Sequence, residues 1–353
     1  MTLTNLGWNE FFEEMLSERK WEGNEPARVI QEHRGSYEIS NGDTIFRADL
    51  SGKYRFEAAS RDELPAVGDW VLATLLHEEK NAIIHQLIPR KSKFSRKAAG
   101  NTTDEQIIAA NIDTVFLVNA LNQDFNLGRI ERYLIMAWES GADPVIVLSK
   151  ADLCDDSDEK AFSVEKIAGG VPVHIVSSAT CEGLEGLQEY LGIGKTVALL
   201  GSSGAGKSTL INKLYGSDIQ KVQDIREDDG KGRHTTTSRE LVVLDMGGVL
   251  IDTPGMRELQ LWDAGDSMTN SFQEIEDLSQ NCFFRDCTHS EEPKCAVNSA
   301  IVEGTLDQRR FENYKKFKKE LAYLQRQTDK RAQIEERKKW KKIAGDRTRQ
   351  HRR

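Results

Sequence analysis

A nine-residue glycine-rich segment near the centre of the chain restricts the possible folds more than any other feature. The segment Gly-Ser-Ser-Gly-Ala-Gly-Lys-Ser-Thr runs from Gly201 to Thr209 and fits the pattern G-x-x-x-x-G-K-[ST]. The apolar run Thr196 to Leu200 precedes it, and the helical pattern Leu210 to Leu214 follows it. A plain glycine-rich turn is the alternative. A strand before the segment and a helix after it favour an α/β fold in which the segment, here termed the phosphate loop, encloses a phosphate group.

The residue types in the phosphate loop suit phosphate binding. Glycines let backbone N–H groups turn inward around a phosphate, and the following helix adds positive potential at its N-terminus. We expect Lys207 to reach the terminal phosphates and to act in catalysis, and Ser208 to offer a hydroxyl group to magnesium. The predicted phosphate-binding residues are Gly201, Ser202, Ser203, Gly204, Ala205, Gly206, Lys207, Ser208 and Thr209.

Two downstream segments supply the other groups that a phosphate site needs. An apolar run from Val249 ends in Asp252-Thr-Pro-Gly255, where Asp252 can hold magnesium through water and the Gly255 N–H can contact the γ-phosphate. The polar segment His234-Thr235-Thr236-Thr237 lies between this run and the phosphate loop. Any one of the three threonines could face magnesium, and Thr236 is the candidate that we assign to the site.

Base-recognition motifs stand upstream of the phosphate loop. Ser149-Lys150-Ala151-Asp152 follows a predicted strand and resembles the Asn-Lys-x-Asp element, in which the aspartate accepts the guanine N1 and N2 hydrogens. Ser177-Ser178-Ala179 follows another predicted strand and resembles the Ser-Ala element, whose backbone N–H contacts guanine O6. Each alone is more often a solvated loop, but both lie at carboxyl ends of strands, where open α/β sheets bind ligands. Ser149 replaces the usual asparagine, and its shorter side chain could weaken binding or base selectivity.

Met256 follows the Asp-Thr-Pro-Gly segment, where many GTPases have a glutamine that orients water. A thioether cannot position a nucleophilic water as an amide does, so we expect slow hydrolysis by the protein alone. His234 is the candidate group that assists the reaction, with a partner surface as a second contributor. The alternative for His234 is a solvated loop residue.

Three cysteines and one histidine lie within 14 positions near the C-terminal end. Three thiolates and one imidazole form a complete tetrahedral set for a closed structural zinc site. Redox or iron chemistry is the alternative, although the set implies no open coordination position. The predicted ligands are Cys282, Cys287, His289 and Cys295.

The rest of the chain predicts a barrel followed by an α/β sheet. Trp8 to Glu18 has the spacing of a short docking helix, and Pro89 to Gly100 has the composition of a basic linker or loop that could touch phosphate. Between them, five short β-type runs separated by turn residues predict a small barrel of the oligonucleotide-binding (OB) type, or a β-domain without a ligand of its own. The five runs are Ala27–Gln31, Ser36–Ile39, Thr44–Asp49, Asp69–Leu75 and Ala82–Leu87. Apolar strands then alternate with amphipathic helices, which indicates a mostly parallel sheet covered on both faces. The predicted helices include Leu127–Ser140 and Leu184–Leu191.

The charge distribution favours contact with a polyanion. The net charge of the 353 residues is −9, but Leu306 to Arg353 contains 18 basic and 7 acidic residues. A predicted helix from Gln308 to Lys342 would present these cations to RNA, or would simply be a solvated face. An aromatic stripe on this helix, formed by Phe311, Tyr314, Phe317 and Tyr323, is expected to pack on the Cys/His module. No apolar run approaches the roughly 18 residues of a membrane span, and Met1 to Glu14 is unlike a signal peptide. We therefore expect a cytoplasmic protein without membrane contact.

The order of these motifs resembles that in the bacterial circularly permuted GTPases of the RsgA type, which assist late maturation of the small ribosomal subunit. The resemblance covers about Ala27 to Arg310 and includes the base-recognition motifs ahead of the phosphate loop, as well as the Cys/His cluster. It implies an N-terminal OB-type β-barrel, a central circularly permuted α/β P-loop GTPase domain and a C-terminal helical zinc-binding domain. The predicted domains are an acidic N-terminal extension (1–25), the barrel and linker (26–100), the GTPase domain (101–265) and the zinc-binding helical domain with its basic tail (266–353).

The resemblance also implies an activity and partners. The expected reaction is hydrolysis of GTP to GDP and phosphate with magnesium, stimulated by the small ribosomal subunit, whose RNA the protein would bind. One structural zinc is expected in the C-terminal domain. Nothing in the sequence suggests an obligate dimer, so we expect a monomer. A nucleotide-sensing RNA-binding scaffold with incidental turnover is the main alternative, suggested by Met256 and Ser149. A P-loop ATPase or kinase is a third possibility, against which Asp152 argues.

Overall fold

The structure is a computed structural model, and it describes residues 2–17, 23–33, 35–97, 105–215, 240–244, 247–252, 268, 271–290 and 292–323. The chain forms two compact units, Met1–Gln260 and Leu261–Arg353. The first unit contains a β-barrel and an α/β sheet, and the second contains helices and the Cys/His cluster. No helix in the described ranges is long and apolar enough to cross a lipid bilayer.

The N-terminal segment docks on the barrel that follows it. Helix α1 (Glu10–Ser17) buries Phe12 and Leu16 on one face, which confirms the predicted docking helix. Trp8 stacks on Phe12 and meets the buried Trp70 of the barrel edge-on, with ring centroids 4.7 Å apart in the second pair. Apolar burial of this kind stabilises the segment, since an eight-residue helix is marginal in isolation.

The barrel contains the five strands that the sequence predicts: β1 (Glu25–Glu32), β2 (Tyr37–Ser40), β3 (Ile45–Leu50), β4 (Trp70–Leu76) and β5 (Asn81–Leu87). The spatial order is β1-β2-β3-β5-β4, and a β1–β4 pairing closes the cylinder. Helix α2 (Gly52–Glu57) follows β3, and β3 runs parallel to β5. In β3 the buried Phe46 and Ala48 alternate with exposed Ile45 and Arg47, as a period of two requires. The fold is a closed OB-type barrel.

The expectation of a linker or loop at Pro89–Gly100 is wrong for part of this segment. Strand β6 (Lys93–Lys97) pairs antiparallel with β7 (Glu105–Ala110). Phe94 is buried, whereas Lys93 on the same strand is exposed. Phe94 is an apolar residue among basic neighbours, so the sequence of this segment shows no alternation of apolar and polar residues that would predict a strand. Pairing with β7 stabilises the strand instead.

The α/β sheet confirms the predicted mostly parallel arrangement. Its strands are β8 (Thr114–Ala120), β9 (Asp143–Ser149), β10 (Val173–Ile175), β11 (Thr196–Gly201), β12 (Glu240–Val243) and β13 (Val249–Asp252). Their order is β10-β9-β8-β11-β13-β12, and only the β12–β13 pair is antiparallel. Strands β8 and β11 are buried along their whole length, as parallel strands covered on both faces must be. Strands β8 to β10 precede the phosphate-loop strand β11 in the chain, so the domain is circularly permuted.

Among the described residues, the helices that flank the sheet are α3 (Leu127–Ser140), α4 (Ser157–Ala168) and α5 (Lys207–Tyr215). The bounds predicted for α3 are confirmed, because Asn126 caps its N-terminus and Gly141 ends it in a left-handed conformation. The predicted helix Leu184–Leu191 is instead a 3₁₀ helix, Glu185–Tyr190. Leu184 and Leu187 are buried at a spacing of three residues, which suits 3₁₀ geometry as well as an α-helix.

The barrel and the sheet meet around one fully buried arginine. Arg28 of β1 lies over the Trp70 ring, with Cζ 5.5 Å from the ring centroid. Strand β1 also pairs with β12 of the sheet, through Gln31 and Glu240. The Arg28 guanidinium donates to the carbonyl oxygens of Leu6, Gly68 and Asn111 and to the Thr196 hydroxyl. Because Thr196 begins β11, this network connects the barrel to the strand that leads into the phosphate loop.

The second unit contains α6 (Gln273–Gln280), α7 (Ala296–Val302) and a further helix, α8 (308–323). The Phe272 ring lies between Tyr314 and Phe317 of α8, with centroid separations of 5.6 and 5.9 Å. The predicted aromatic stripe is confirmed at Phe311, Tyr314 and Phe317, which are buried, but not at Tyr323, which is 57% exposed. The rest of the predicted helix to Lys342 lies outside the described residues.

Candidate nucleotide site and metal cluster

The phosphate loop curls around the ammonium group of Lys207, the first residue of α5. Its Nζ donates to the carbonyl oxygens of Gly201 and Ser202, each at 2.7 Å. A Cβ atom at Gly201 would lie 2.3 Å from the Val118 carbonyl oxygen of β8, so only glycine permits this close approach. Gly206 has φ +89°, another conformation that favours glycine. The loop exposes Ser203, Gly204, Ser208 and Thr209 to solvent, where a ligand can reach them.

The two predicted base-recognition motifs lie side by side. Residues 149–153, here termed the base turn, follow β9, and Lys150 adopts a left-handed conformation that begins a 3₁₀ helix, Ala151–Leu153. The Ser177 hydroxyl donates to Asp152 Oδ1 at 2.6 Å, and the Ala151 N–H donates to the Val176 carbonyl oxygen. Ser177 is fully buried, whereas Asp152 is exposed. The hydrogen bond leaves the second carboxylate oxygen of Asp152 able to accept from a base.

Ser149 connects the base turn to the phosphate loop. Its hydroxyl donates to the Ala205 carbonyl oxygen at 2.6 Å and lies 3.4 Å from the Asn119 carbonyl oxygen. A Cβ atom at Gly206 would lie 3.8 Å from Ser149 Oγ and 3.9 Å from Lys150 Cε. The serine therefore reaches the neighbouring phosphate loop in spite of its short side chain. The base turn and the phosphate loop are in direct contact.

A third loop, which the sequence did not indicate, braces the other two. Residues 121–126, here termed the β8–α3 loop, include Asp124, whose Oδ2 accepts a hydrogen bond from the Ser202 hydroxyl at 2.8 Å. Arg129 of α3 pairs with the same carboxylate at 2.9 Å. Hydrogen bonds from Arg129 and then Ser202 lower the pKa of Asp124 below its usual range. The Leu121 N–H also donates to the Ser149 carbonyl oxygen at 2.9 Å, so one short loop contacts both halves of the site.

Several predicted site residues lie outside the described part of the chain. Strand β13 ends at Asp252 beside β11, which places this backbone next to the phosphate-loop strand. The remaining predicted residues of this group, His234, Thr235, Thr236, Thr237 and Gly255, are among the residues that the structure does not describe, as is Met256.

The four predicted metal ligands come together in the second unit. Their ligand atoms all lie within 4.8 Å of one another. Cys295 Sγ is 3.5 Å from His289 Nδ1 and 3.9 Å from Cys282 Sγ, and Cys282 Sγ is 3.6 Å from His289 Nδ1. Tetrahedral zinc with ordinary bond lengths would separate two sulfurs by about 3.8 Å and a sulfur from a nitrogen by about 3.5 Å. The donor types and spacings thus fit a closed tetrahedral metal site.

Local backbone structure directs these ligands toward one point. Cys282 comes just after the end of α6, and Cys295 caps the N-terminus of α7 by accepting from the Asn298 N–H. His289 has φ +58° and is largely buried, with its ring edge-on to that of Phe311. The helix α8 therefore supports the cluster from its apolar side.

Comparison with known proteins agrees with this geometry. A family model described as "RsgA GTPase" matches residues 87–262, and one described as "50S ribosome-binding GTPase" matches residues 196–332. A protein of Opitutus terrae named "Small ribosomal subunit biogenesis GTPase RsgA" is 45% identical over 97% of this chain and 96% of its own length. A protein of Oceanobacillus iheyensis named "Small ribosomal subunit biogenesis GTPase RsgA 1" is 46% identical over 90% of this chain and 91% of its own length.

Solved structures support the same assignment. The crystal structure of YjeQ from Thermotoga maritima matches with a TM-score of 0.63 and 29% identity, over 85% of this chain and 99% of that chain. The structure of YloQ, described as a circularly permuted GTPase, matches with a TM-score of 0.59 over 86% of this chain and 98% of that chain. At 24% identity the second match shows the fold alone. The strand order is permuted, the phosphate loop and the base turn are in contact, and the relatives match along nearly the whole length. The chain therefore belongs to the RsgA family of GTPases.

Proposed function

We propose that the protein hydrolyses GTP to GDP and phosphate while bound to the small ribosomal subunit, and that it assists late maturation of that subunit. The hydrogen bond from Ser149 to the Ala205 carbonyl oxygen carries this proposal, because it puts a guanine-type base turn and a phosphate loop within reach of one nucleotide. Relatives at 45% and 46% identity bear names that specify small ribosomal subunit biogenesis. The protein would act where such subunits are assembled, in the cytoplasm.

In this proposal the phosphate loop binds the GTP phosphates. Its backbone N–H groups and Lys207 hold the β- and γ-phosphates, and Lys207 neutralises charge as the γ-phosphate leaves. Ser208 and Asp252 would hold a magnesium ion, which when bound supplies further neutralisation of phosphate charge. Thr236 and the Gly255 N–H would contact the γ-phosphate side of the site. Loss of the γ-phosphate would then release the threonine segment and weaken the grip on RNA.

Asp152 is proposed to select guanine, with support from Lys150, Ala151, Ser178 and Ala179. A carboxylate accepts two N–H groups from guanine, whereas an asparagine amide pairs one acceptor with one donor. Asp152→Asn should therefore lower affinity for GDP and raise affinity for xanthosine diphosphate, which presents a carbonyl oxygen in place of the guanine amino group. Asp155→Asn, at a neighbouring exposed carboxylate, is the matched control. Unchanged base preference in Asp152→Asn would refute the assigned role.

Hydrolysis is proposed to depend on a group outside the phosphate loop. His234 lies in the same polar segment as the candidate threonines, and Met256 cannot orient water as a glutamine amide would. His234→Ala should lower the turnover number on the subunit by about 10²- to 10⁴-fold while leaving GDP affinity unchanged. Retention of full subunit-stimulated turnover would remove His234 from the mechanism.

The C-terminal unit is proposed to hold a structural zinc ion and to contact ribosomal RNA. Cys282, Cys287, His289 and Cys295 would bind the zinc, which when bound stabilises the fold of the unit. Phe283, beside the cluster, is 66% exposed, and Lys294 Nζ lies 4.9 Å from its ring centroid. An exposed aromatic ring next to a cation suits stacking on an unpaired RNA base.

Co-sedimentation with purified ribosomal subunits tests the partner. Because one matching family model is described by the large (50S) subunit, the experiment uses small and large subunits in parallel, each with GDP and with a non-hydrolysable GTP analogue. We expect retention on the small subunit that is stronger with the GTP analogue, and hydrolysis of GTP that rises when small subunits are added. Retention only on the large subunit would overturn the proposed partner.

The Lys207→Ala variant separates a GTPase switch from a scaffold with incidental turnover. A switch requires that loss of nucleotide binding abolish function in a subunit assembly assay. If assembly proceeds normally with Lys207→Ala while RNA binding persists, the scaffold function is correct instead. A single chain supplies all the proposed nucleotide contacts, so we also propose a monomer, which sedimentation of the free protein can test.

A further inference from the structure

The β8–α3 loop places a carboxylate against the phosphate loop. Asp124 Oδ2 accepts from the Ser202 hydroxyl at 2.8 Å, although the two residues are 78 positions apart in the chain. Ser202 is the second residue of the phosphate loop, and its carbonyl oxygen accepts from Lys207 Nζ. The same residue is thus held on one side by Asp124 and on the other by the lysine that is proposed to bind the terminal phosphates.

A carboxylate here would be unfavourable for a phosphate ligand unless its charge were compensated. Arg129 supplies this compensation, since Nη1 donates to Asp124 Oδ1 at 3.0 Å and Nη2 lies 2.9 Å from Oδ2. Arg129 also donates to the Asp124 carbonyl oxygen. The Asn122 side chain accepts from the Asp124 N–H at 3.0 Å. Arg129 therefore holds the carboxylate of Asp124, while Arg129 and Asn122 hold the backbone of the same residue.

We infer that Asp124 is a positioning residue for nucleotide binding, which holds Ser202 and with it the first turn of the phosphate loop in the shape that a nucleotide requires. Arg129 orients Asp124 and neutralises its charge. The inference rests on the proposed function only in that the ligand is a guanine nucleotide. Preorganisation of a loop improves affinity because less conformational freedom is lost on binding.

The role predicts a specific pattern of kinetic effects. The contact involves the loop rather than the reacting atoms, so it should stabilise bound GTP and the transition state equally. Its loss should raise KM for GTP and Kd for GDP together, while the turnover number on saturating small subunits stays within about twofold. A hydrogen bond to a charged group of this kind is expected to change affinity about 5- to 20-fold.

A double-mutant cycle on the full-length protein tests the pairing. Titration with fluorescent GDP compares wild type with Asp124→Ala, Ser202→Ala and the double variant. We expect each single variant to weaken binding about 5- to 20-fold and the double variant to be no weaker than either. Asp124→Asn should restore most of the affinity, because the amide oxygen still accepts from Ser202. Asp158→Ala, at an exposed carboxylate of α4, should bind like wild type.

The outcomes separate this inference from the proposed function. Thermal unfolding without nucleotide checks that each variant is folded. If Asp124→Ala does not fold, the affinity of Ser202→Ala tests the same contact from the other side. Affinity equal to or tighter than wild type in Asp124→Ala, or single effects that multiply in the double variant, would overturn the positioning role alone. Failure of the wild-type protein itself to bind a guanine nucleotide would overturn the proposed function together with this inference.

Discussion

Replacement of Arg28 by methionine tests how firmly the barrel is joined to the nucleotide-binding sheet. Burial lowers the pKa of Arg28 to about 10, while Asp113 and then Asp69 oppose this shift. The side chain therefore remains charged at neutral pH. The charge is satisfied by four hydrogen-bond acceptors, Leu6 O, Gly68 O, Asn111 O and Thr196 Oγ1. Methionine has a comparable apolar length but no donor, so Arg28→Met removes these bonds without leaving a large cavity.

The size of the effect follows from the acceptors that are left without a donor. The Gly68 carbonyl oxygen also accepts from Asn111 Nδ2 at 3.1 Å, so it keeps one partner. The other three acceptors, Leu6 O, Asn111 O and Thr196 Oγ1, lose a donor at a cost of about 1–3 kcal/mol each. Relaxation of the surrounding structure brings the summed cost toward the lower end of this range. We expect Arg28→Met to lower the free energy of unfolding by about 3–5 kcal/mol. For a unit of this size that corresponds to a fall of roughly 6–20 °C in the unfolding temperature.

Thermal unfolding followed by tryptophan fluorescence measures this change. Of the six tryptophans, Trp70 lies against Arg28 and Trp8 lies against Trp70, so part of the signal reports on the junction. Arg47→Met, at an exposed arginine of barrel strand β3, is the matched control and should change the unfolding temperature by about 2 °C or less. Arg28→Lys keeps the positive charge but loses the planar guanidinium group with its several N–H donors. Its unfolding temperature should therefore lie between those of Arg28→Met and Arg47→Met. If Arg28→Met unfolds at the same temperature as Arg47→Met, the argument from unsatisfied acceptors is wrong.

Three further changes should have measurable effects. Ser149→Ala removes the hydrogen bond to the Ala205 carbonyl oxygen and should weaken GDP binding about 2- to 10-fold in a fluorescence titration, with no change in unfolding temperature beyond about 3 °C. Cys295→Ser should reduce bound zinc, measured by elemental analysis, and destabilise the C-terminal unit, whereas GDP affinity should be retained. Asp69→Asn breaks a buried pair with Arg90, whose Nη2 lies 2.7 Å from Asp69 Oδ2, and should lower the free energy of unfolding in urea by about 3–5 kcal/mol.

The strands and the phosphate loop were predictable because their signals are local. Strand β8 is a continuous apolar run, and the glycines of the phosphate loop satisfy a backbone requirement within nine residues. Helix α3 has both an asparagine cap and a terminal glycine. The Cys/His spacing likewise specifies the cluster without knowledge of the fold. Each of these features depends on neighbours in the chain, which the sequence displays directly.

The features that sequence analysis missed depend on partners far away in the chain. Asp124 follows the pattern of an ordinary polar loop, and its partner Ser202 is recognised only in the folded sheet. Arg28 lies in a predicted strand, where an arginine would be expected to face solvent. Its burial is possible because carbonyl oxygens from separate segments converge on it. The spacing of apolar and polar residues along one segment does not indicate which distant carbonyl groups will surround a side chain.

The segment Leu184–Leu191, expected as an α-helix, contains the 3₁₀ helix Glu185–Tyr190, which lies close to β10. A Cβ atom at Gly186 would lie 2.9 Å from His174 Nδ1, so the segment passes close to β10. Residues spaced three apart can bury the same face in either helix type, and apolar spacing alone does not separate them over six residues. The apolar spacing of this segment therefore leaves the helix type open.

Circular permutation leaves the nucleotide site intact because the site depends on strand ends and not on their order in the chain. The phosphate loop follows β11 and the base turn follows β9, and both lie at the carboxyl edge of one parallel sheet. Between the barrel and β8 the chain forms the antiparallel pair of β6 and β7. Strand β1 of that barrel also pairs with β12, the strand that follows the candidate threonines Thr235 to Thr237 in the sequence. The barrel is therefore joined to the sheet at two strands, the phosphate-loop strand β11 through Arg28 and the strand β12 through β1.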